Sequence, residues 1–224
     1  MTTIAVVRKN GYVAIAADTM TKWGSGKETA DYVVNNHKTF KVRDTVIAIT
    51  GNTTFKAILA DYFARPKVEA RFDNVHNIFR TWQAMHAVLK EEYFLNAGAG
   101  GDDPVESTRV DVLLANKHGI FGVAAHRTVQ EFSRFYAFGS GADYAMGAMY
   151  SVYHDKPRGA EDIARLAVCV WTTSYRTPLF FAQAVGRVVR ARSAHESATV
   201  FLPAVRPLLA LAAEMEQARN HVVR

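Results

Sequence analysis

The sequence contains few of the residues that mark secreted, membrane-spanning or disordered proteins. Its one cysteine, Cys169, excludes an intrachain disulfide and any multi-cysteine zinc site, which favours a reducing cytoplasm as the location. No apolar run approaches the ~20 residues that a transmembrane helix requires, and residues 1–9 lack the basic-then-apolar order of a signal peptide. The eight histidines show no metal-ligand spacing, so neither a metal nor another cofactor is expected.

The composition is that of an ordinary globular chain. Of the 224 residues, 49% are hydrophobic, while only 14 are Gly and 6 are Pro, so we expect one packed domain over residues 1–224. A net charge of +6 leaves binding to nucleic acid or to an acidic partner open. The arginines of the last third are spread out, which favours a solvated or subunit-contacting face.

Apolar runs predict two β-hairpins within the first fifty residues. Thr2 to Arg8 and Tyr12 to Ala17 flank Lys9-Asn10-Gly11, where the glycine can adopt a positive φ. Residues 38–42 and 45–50 form the second pair, and the polar segment between the two hairpins is predicted to be a loop. The strands of the first hairpin are apolar at nearly every position, as expected if both faces of the sheet are covered.

The remaining periodicity alternates between pairs of helices and groups of strands. The predicted elements are helices at 52–64 and 75–95, strands at 108–116, 119–126 and 129–138, helices at 142–153 and 160–171, and a final helix at 207–219. This order predicts an α+β fold in which two antiparallel sheets stack face to face and a helix pair covers each. The architecture is a four-layer αββα sandwich.

The turn type of the first hairpin decides which residues meet at its open end. With a three-residue turn, paired residue numbers add up to twenty, and Thr2 faces Asp18 across the ladder. With a two-residue turn at Asn10-Gly11, Thr2 instead opposes Thr19 and Asp18 lies on the other face. The pairing of Thr2 with Asp18 therefore depends on the turn type.

A threonine at position 2 is a candidate nucleophile if Met1 is removed. The hydroxyl of threonine is a poor nucleophile unless a base takes its proton, and a free α-amine, with a pKa of about 7.7–8.0, can be that base. Thr2 would then carry both groups, with no need of a histidine.

Several segments together are similar to one family. They are Thr2-Thr3-Ile4, Ala16-Ala17-Asp18, Lys38-Thr39-Phe40-Lys41-Val42, Ile49-Thr50-Gly51, and Gly139-Ser140-Gly141 with Tyr144-Ala145. With these segments in this order, the chain resembles the bacterial proteasome-like threonine peptidases, which belong to the N-terminal-nucleophile hydrolases. The resemblance is to the HslV type and to the related bacterial proteasome homologue (BPH) group. Each segment is weak alone, but their order agrees with an αββα layering.

The resemblance implies a catalytic role for six residues. Thr2 would be the nucleophile, Lys38 the neighbouring cation and Asp18 the partner that holds Lys38 in place. Gly51 would supply an N–H group to the oxyanion. Ser140 and Gly141 would hydrogen-bond around the Thr2 amine, although Ser140 is equally consistent with a plain N-cap. The remaining site positions are those expected to bind substrate, namely Thr21, Lys22, Ile49 and Thr53.

The resemblance also implies the reaction and the partners. The expected activity is hydrolysis of unfolded polypeptides inside a stacked double ring of twelve or fourteen identical subunits, with an ATP-dependent unfoldase as a potential partner and no membrane involved. The segment Trp171-Thr172-Thr173-Ser174-Tyr175 lacks the carboxylate that many proteasomal subunits carry there, and Thr173 or Ser174 would substitute. A non-catalytic ring subunit is therefore one alternative, and a basic nucleic-acid-binding module is another.

Overall fold

The computed structural model describes residues 2–23, 26–28, 32–98, 103–168, 210, 213 and 214. The chain divides into two compact units, Met1–Val168 and Cys169–Arg224, and the strands and helices given below all lie in the first unit. The predicted helix at 207–219 and the end of the one at 160–171 lie largely outside the described residues. The single domain over residues 1–224 stays a prediction. No helix in the described part is long and apolar enough to cross a bilayer.

Ten strands and four helices are found in the described residues. The strands are β1 (Ile4–Lys9), β2 (Tyr12–Ala17), β3 (Thr21–Trp23), β4 (Gly26–Glu28), β5 (Thr39–Val42), β6 (Thr45–Ile49), β7 (Val112–Asn116), β8 (Gly119–Val123), β9 (Val129–Phe132) and β10 (Phe135–Phe138). The helices are α1 (Thr54–Ala64), α2 (Val75–Glu91), α3 (Ala142–Val152) and α4 (Ala160–Val168).

The strands form two main antiparallel sheets. One has the order β10-β1-β2 and the other the order β5-β6-β7-β8-β9, while β3 and β4 make a separate short hairpin. That hairpin lies where the sequence predicts only a loop. The single strand predicted at 129–138 is also wrong, because β9 and β10 are separated at Ser133-Arg134 and join different sheets.

Three hydrophobic clusters fill the spaces between the layers. The first lies between the five-stranded sheet and α1 and α2, and it includes Trp82 and Leu114. The second joins the three-stranded sheet to α3 and α4, and it includes Val7 and Met149. The third, which includes Ile4, joins the two sheets. The layers are therefore helix, sheet, sheet and helix, and the predicted αββα sandwich is confirmed.

Strand β1 shows why the chain begins with an unbroken apolar run. Ile4 and Val6 point to the cluster between the sheets, whereas Ala5 and Val7 point to the cluster under α3 and α4. All four are fully buried, because both faces of the sheet are covered.

The first hairpin uses the two-residue turn, so of the two alternatives the three-residue turn is wrong. Asn10 and Gly11 both have positive φ, at 53° and 80°, as a type I′ turn requires. Paired numbers add up to twenty-one, as in Ile4↔Ala17 and Lys9↔Tyr12. A type I′ turn matches the right-handed twist of the flanking strands, which explains its preference over the longer turn.

Local chemistry accounts for the ends of α2. Asn74 is its N-cap, and the side chain accepts a hydrogen bond from the Asn77 N–H at 2.9 Å. The predicted helix continues to Leu95, but the observed one ends at Glu91. Phe94, three residues later, has a φ of 53°, a left-handed conformation that cannot continue the helix.

Candidate active site

Thr2 lies two residues before β1 and is held at three points. Its N–H donates to the Ser140 Oγ at 3.1 Å, and its carbonyl accepts from the Gly141 N–H at 3.3 Å. Its Oγ1 accepts a hydrogen bond from the Lys38 Nζ at 3.1 Å. Both the nitrogen and the hydroxyl of Thr2 thus have defined partners from distant parts of the chain.

Lys38 brings its ammonium group to a nearly enclosed position. Its side chain is only 8% exposed, and the Nζ donates to the Thr2 Oγ1, to the Asp18 Oδ2 at 2.8 Å and to the Met20 carbonyl at 2.7 Å. A buried ammonium requires acceptors of this kind, because desolvation without them is costly. One carboxylate and two neutral oxygens therefore hold the cation against the Thr2 hydroxyl.

Asp18 reaches the site through Lys38 and not by facing Thr2 across the hairpin. It does not face Thr2 across the ladder, because its N–H donates to the Thr3 carbonyl at 3.0 Å, in keeping with the register. Its carboxylate accepts from the Thr3 N–H at 2.6 Å and from the Met20 N–H at 3.0 Å. The contact between Asp18 and Thr2 passes through Lys38.

Ser140 and Gly141 lie where β10 leads into α3. Gly141 is the N-cap of the helix, and no side chain caps it. The Ser140 hydroxyl contacts the Thr2 nitrogen, so the alternative in which Ser140 is the N-cap is wrong. The structure brings Ser140 to the Thr2 nitrogen and Gly141 to the Thr2 carbonyl, not to the nitrogen.

Gly139 is a further residue of this turn that the sequence reasoning missed. Its φ is 100°, and a Cβ added there would lie 2.2 Å from the Thr2 carbonyl oxygen. No side chain larger than hydrogen fits without a shift of the Thr2 backbone. The Gly-Ser-Gly run was the available signal, but only the packing against Thr2 shows why position 139 must be glycine.

Gly51 follows β6 and lies three residues before the first residue of α1. It therefore does not adjoin the helix directly, as the predicted helix at 52–64 implies, because α1 begins at Thr54 with Thr53 as its N-cap. One N–H group at the start of α1 already has a partner, because the Asn52 side chain accepts a hydrogen bond from the Thr54 N–H at 3.0 Å. Gly51 has a φ of 93°, and its Cα packs against the Arg109 backbone so closely that an added Cβ would lie 3.1 Å from the Arg109 carbonyl oxygen.

A cleft of about 710 Å³ connects these groups. Thr2, Lys38 and Gly51 all line it. Three of the four residues expected to bind substrate also line it, namely Thr21, Ile49 and Thr53. Lys22 lies on β3, the strand that begins at Thr21.

Some residues named from the sequence lie outside the described residues. They are Cys169 and the segment Trp171 to Tyr175, with Thr173 and Ser174. The Met20 carbonyl, by contrast, is a site acceptor that sequence reasoning missed. No sequence pattern marks this acceptor, because every residue has a backbone carbonyl oxygen and only the fold brings a particular one to the Lys38 ammonium.

Comparison with solved structures identifies the class of fold and then the family. The chain superposes on eukaryotic HslV from Trypanosoma brucei with a TM-score of 0.51, at 18% identity over 74% of this chain and 87% of that one. It superposes on Thiobacillus denitrificans BPH with a TM-score of 0.70, at 56% identity over 74% of this chain and 86% of that one. The fold is that of a proteasome-type N-terminal-nucleophile hydrolase. The chain belongs to the bacterial proteasome homologue family, which confirms the resemblance.

Two further comparisons complete the picture. Thiobacillus denitrificans BPH in complex with epoxomicin superposes with a TM-score of 0.69, at 56% identity over 74% of this chain and 86% of that one. Curated relatives are two uncharacterized mycobacterial proteins, 56% identical in Mycobacterium leprae and 53% identical in Mycobacterium tuberculosis, over 62 residues or 28% of this chain. The chain spans about a tenth of the length of these curated relatives. No protein-family model matches the chain.

The turn under Thr2 generates a stability prediction. Gly139→Ala should lower the free energy of unfolding by about 1–3 kcal/mol, because a Cβ collides with the Thr2 backbone at a left-handed φ. Gly147→Ala is the matched control, since no atom lies within 4 Å of the added Cβ and alanine favours the interior of α3 by about 0.5–1 kcal/mol. Urea denaturation of both variants measures the difference. Equal stability of the two variants would contradict the close packing of Gly139 on Thr2.

Proposed function

We propose that this protein is a threonine endopeptidase that hydrolyses polypeptides through a covalent intermediate on Thr2. The observation that carries the proposal is the position of the Lys38 ammonium, 3.1 Å from the Thr2 hydroxyl oxygen and on the same cleft as Gly51. Membership of a proteasome-type family supports hydrolysis as the reaction. The complex of Thiobacillus denitrificans BPH with epoxomicin suggests that the cleft of this chain also accepts that compound.

The proposed reaction requires that Met1 is removed, so that Thr2 carries a free α-amine. The amine takes the hydroxyl proton while the Thr2 Oγ1 attacks the peptide carbonyl carbon. The tetrahedral intermediate collapses to an ester on Thr2, and the amine returns the proton to the leaving nitrogen of the substrate. Water then attacks the ester with the same amine as base, releases the carboxylic acid product and restores the hydroxyl.

Electrostatics of the site suit this sequence of steps. Negative charge develops on the Thr2 Oγ1 during attack, and the Lys38 ammonium, fixed by Asp18 and the Met20 carbonyl, lies against that atom. Such a preorganised cation stabilises developing charge without reorganising as the reaction proceeds. The Ser140 hydroxyl, 3.1 Å from the Thr2 nitrogen, would orient the amine, and the Gly141 N–H holds the Thr2 carbonyl.

The oxyanion of the intermediate would lie beside Gly51. The positive φ of Gly51 sets the orientation of its peptide unit after β6, and packing against the Arg109 backbone holds that unit in place. Within the described residues, no acceptor takes a hydrogen bond from the Gly51 N–H. An N–H group that is to donate to the substrate must be unoccupied in this way.

Substrate side chains would bind in the remainder of the cleft. Ile49 is 3% exposed and belongs to the core cluster under α1, so it would form an apolar floor of medium size. Thr21 and Thr53 line the cleft and would contact the substrate from the sides, and Lys22 stays a predicted substrate-binding residue. This arrangement favours medium-sized apolar groups next to the scissile bond, with a moderate preference of about 1–3 kcal/mol per methylene.

Replacement of the nucleophile tests the proposal most directly. Thr2→Ala should abolish peptide hydrolysis, because it removes the attacking oxygen, whereas Thr2→Ser should retain part of it. Initial rates on a fluorogenic peptide, together with the intact mass, measure the outcome. The mass should show loss of Met1 in the wild type and one added epoxomicin after incubation. Full activity of Thr2→Ala would eliminate Thr2 as the nucleophile, and a retained Met1 without activity would favour the non-catalytic ring subunit.

The cation generates a second prediction. Lys38→Ala should lower kcat/KM by about 100-fold or more, the cost of removing a preorganised electrostatic donor. It should also lower the free energy of unfolding by about 3 kcal/mol, the low end for a broken buried ion pair, because Asp18 keeps two N–H donors. Lys41→Ala, on the exposed side of β5, is the control and should change neither. A larger loss of activity in the control would show that Lys41 is the functional cation.

Assembly is the third quantity to measure. The family suggests a closed double ring, and α3 leaves Tyr144 and Tyr150 at 51% and 75% exposed, an apolar surface that a neighbouring subunit would cover. We expect twelve or fourteen subunits in light scattering at micromolar concentration. An ATP-dependent unfoldase would deliver unfolded substrate to such a chamber. A stable monomer would contradict the compartment.

A further inference from the structure

The segment that precedes Lys38 contains no regular secondary structure, although it must place the most demanding group of the site. Residues 32–37 lead from the β3–β4 hairpin to β5, and Lys38 lies one residue before β5 begins at Thr39. Within the described residues, no strand pairs with residues 32–37. Another element must therefore hold this segment in place.

Lys56 supplies that support from the first turn of α1. Its Nζ donates to the Asn35 carbonyl at 3.1 Å and to the His37 carbonyl at 2.5 Å. These two bonds reach the backbone of residues 32–37 from α1, a different element of the fold. Two charge-assisted hydrogen bonds from one ammonium thus tie the loop to the helix.

The His37 carbonyl belongs to the peptide group whose nitrogen is that of Lys38. On the other side of that residue, the Lys38 carbonyl accepts a hydrogen bond from the Ile49 N–H at 3.0 Å. The backbone of Lys38 is therefore held between α1 and β6. The ammonium at the end of its side chain depends on this position for its contacts at 3.1, 2.8 and 2.7 Å with Thr2, Asp18 and Met20.

We infer that Lys56 is a positioning residue for the proposed peptidase reaction, acting through the backbone of residues 35–38 to place the Lys38 ammonium against Thr2. The inference rests on the proposed function for its effect on activity and on geometry alone for its effect on the loop. It is distinct from a direct role in substrate binding, although Lys56 also lines the cleft. Both donated bonds go to carbonyls of the protein itself.

The two roles predict different kinetics. Loss of positioning should lower kcat, because a displacement of about 1 Å near the reacting atoms costs up to ~100-fold, and it should do so equally for neutral and acidic peptides. Loss of a substrate-binding charge should instead raise KM, and mainly for acidic peptides. A conservative change also separates the roles, because arginine at position 56 keeps several N–H donors for the two carbonyls.

The experiment compares Lys56→Met with Lys56→Arg and with the control Lys41→Met. We expect kcat to fall about 10- to 100-fold in Lys56→Met with KM nearly unchanged, to recover in part in Lys56→Arg, and to stay at the wild-type value in the control. Hydrogen exchange measured by mass spectrometry should show faster exchange of peptides covering residues 35–40 in Lys56→Met only.

The outcomes separate this inference from the proposed function. An active wild type with unchanged kcat in Lys56→Met, or a loss confined to KM for acidic peptides, would overturn the positioning role and leave the peptidase assignment intact. If the wild type shows no hydrolysis, the proposed function is wrong. Hydrogen exchange alone then tests whether Lys56 supports the loop. Unchanged exchange at residues 35–40 in Lys56→Met would refute the support of the loop.

Discussion

The site depends on the burial of one ammonium group, that of Lys38. A cation that is 8% exposed must find acceptors within the protein, and this one takes a carboxylate, a backbone carbonyl and the Thr2 hydroxyl. Those three oxygens come from the first twenty residues, whereas Lys38 comes from the approach to β5. The three hydrogen bonds of the buried charge therefore tie the start of the chain to the approach of the second sheet.

The two sheets contribute different parts of the chemistry. Thr2 and Asp18 extend from the β1–β2 hairpin of the smaller sheet, while Lys38 and Gly51 flank β5 and β6 of the larger one. The turn after β10 then closes the arrangement with Ser140 and Gly141 at the Thr2 backbone. Because the apolar cluster between the sheets includes residues of β1 and β6, the packing of these strands sets the distance between the Thr2 hydroxyl and the Lys38 ammonium.

Much of the fold could be predicted from the sequence because it follows from local periodicity. Apolar runs predict most of the strands, helical spacing predicts the helix pairs, and the order of these elements is enough to predict the αββα layering. The errors came where neighbouring strands or turns decide the outcome. One continuous run at 129–138 becomes two strands in two sheets, and the polar segment after Asp18 contains a hairpin whose pairing no apolar pattern marks.

The sequence by itself determined which chemical groups exist and nearly where they lie: a threonine at position 2, a lysine at position 38, and glycines at 51 and 139. Only the tertiary structure decided how they meet. A type I′ turn opposes Asp18 to Thr3, yet the carboxylate still reaches the site because Lys38 bridges it to Thr2. The acceptor at Met20 and the support from Lys56 involve backbone carbonyls. Every residue carries such a carbonyl, so their selection is a property of packing that no residue pattern records.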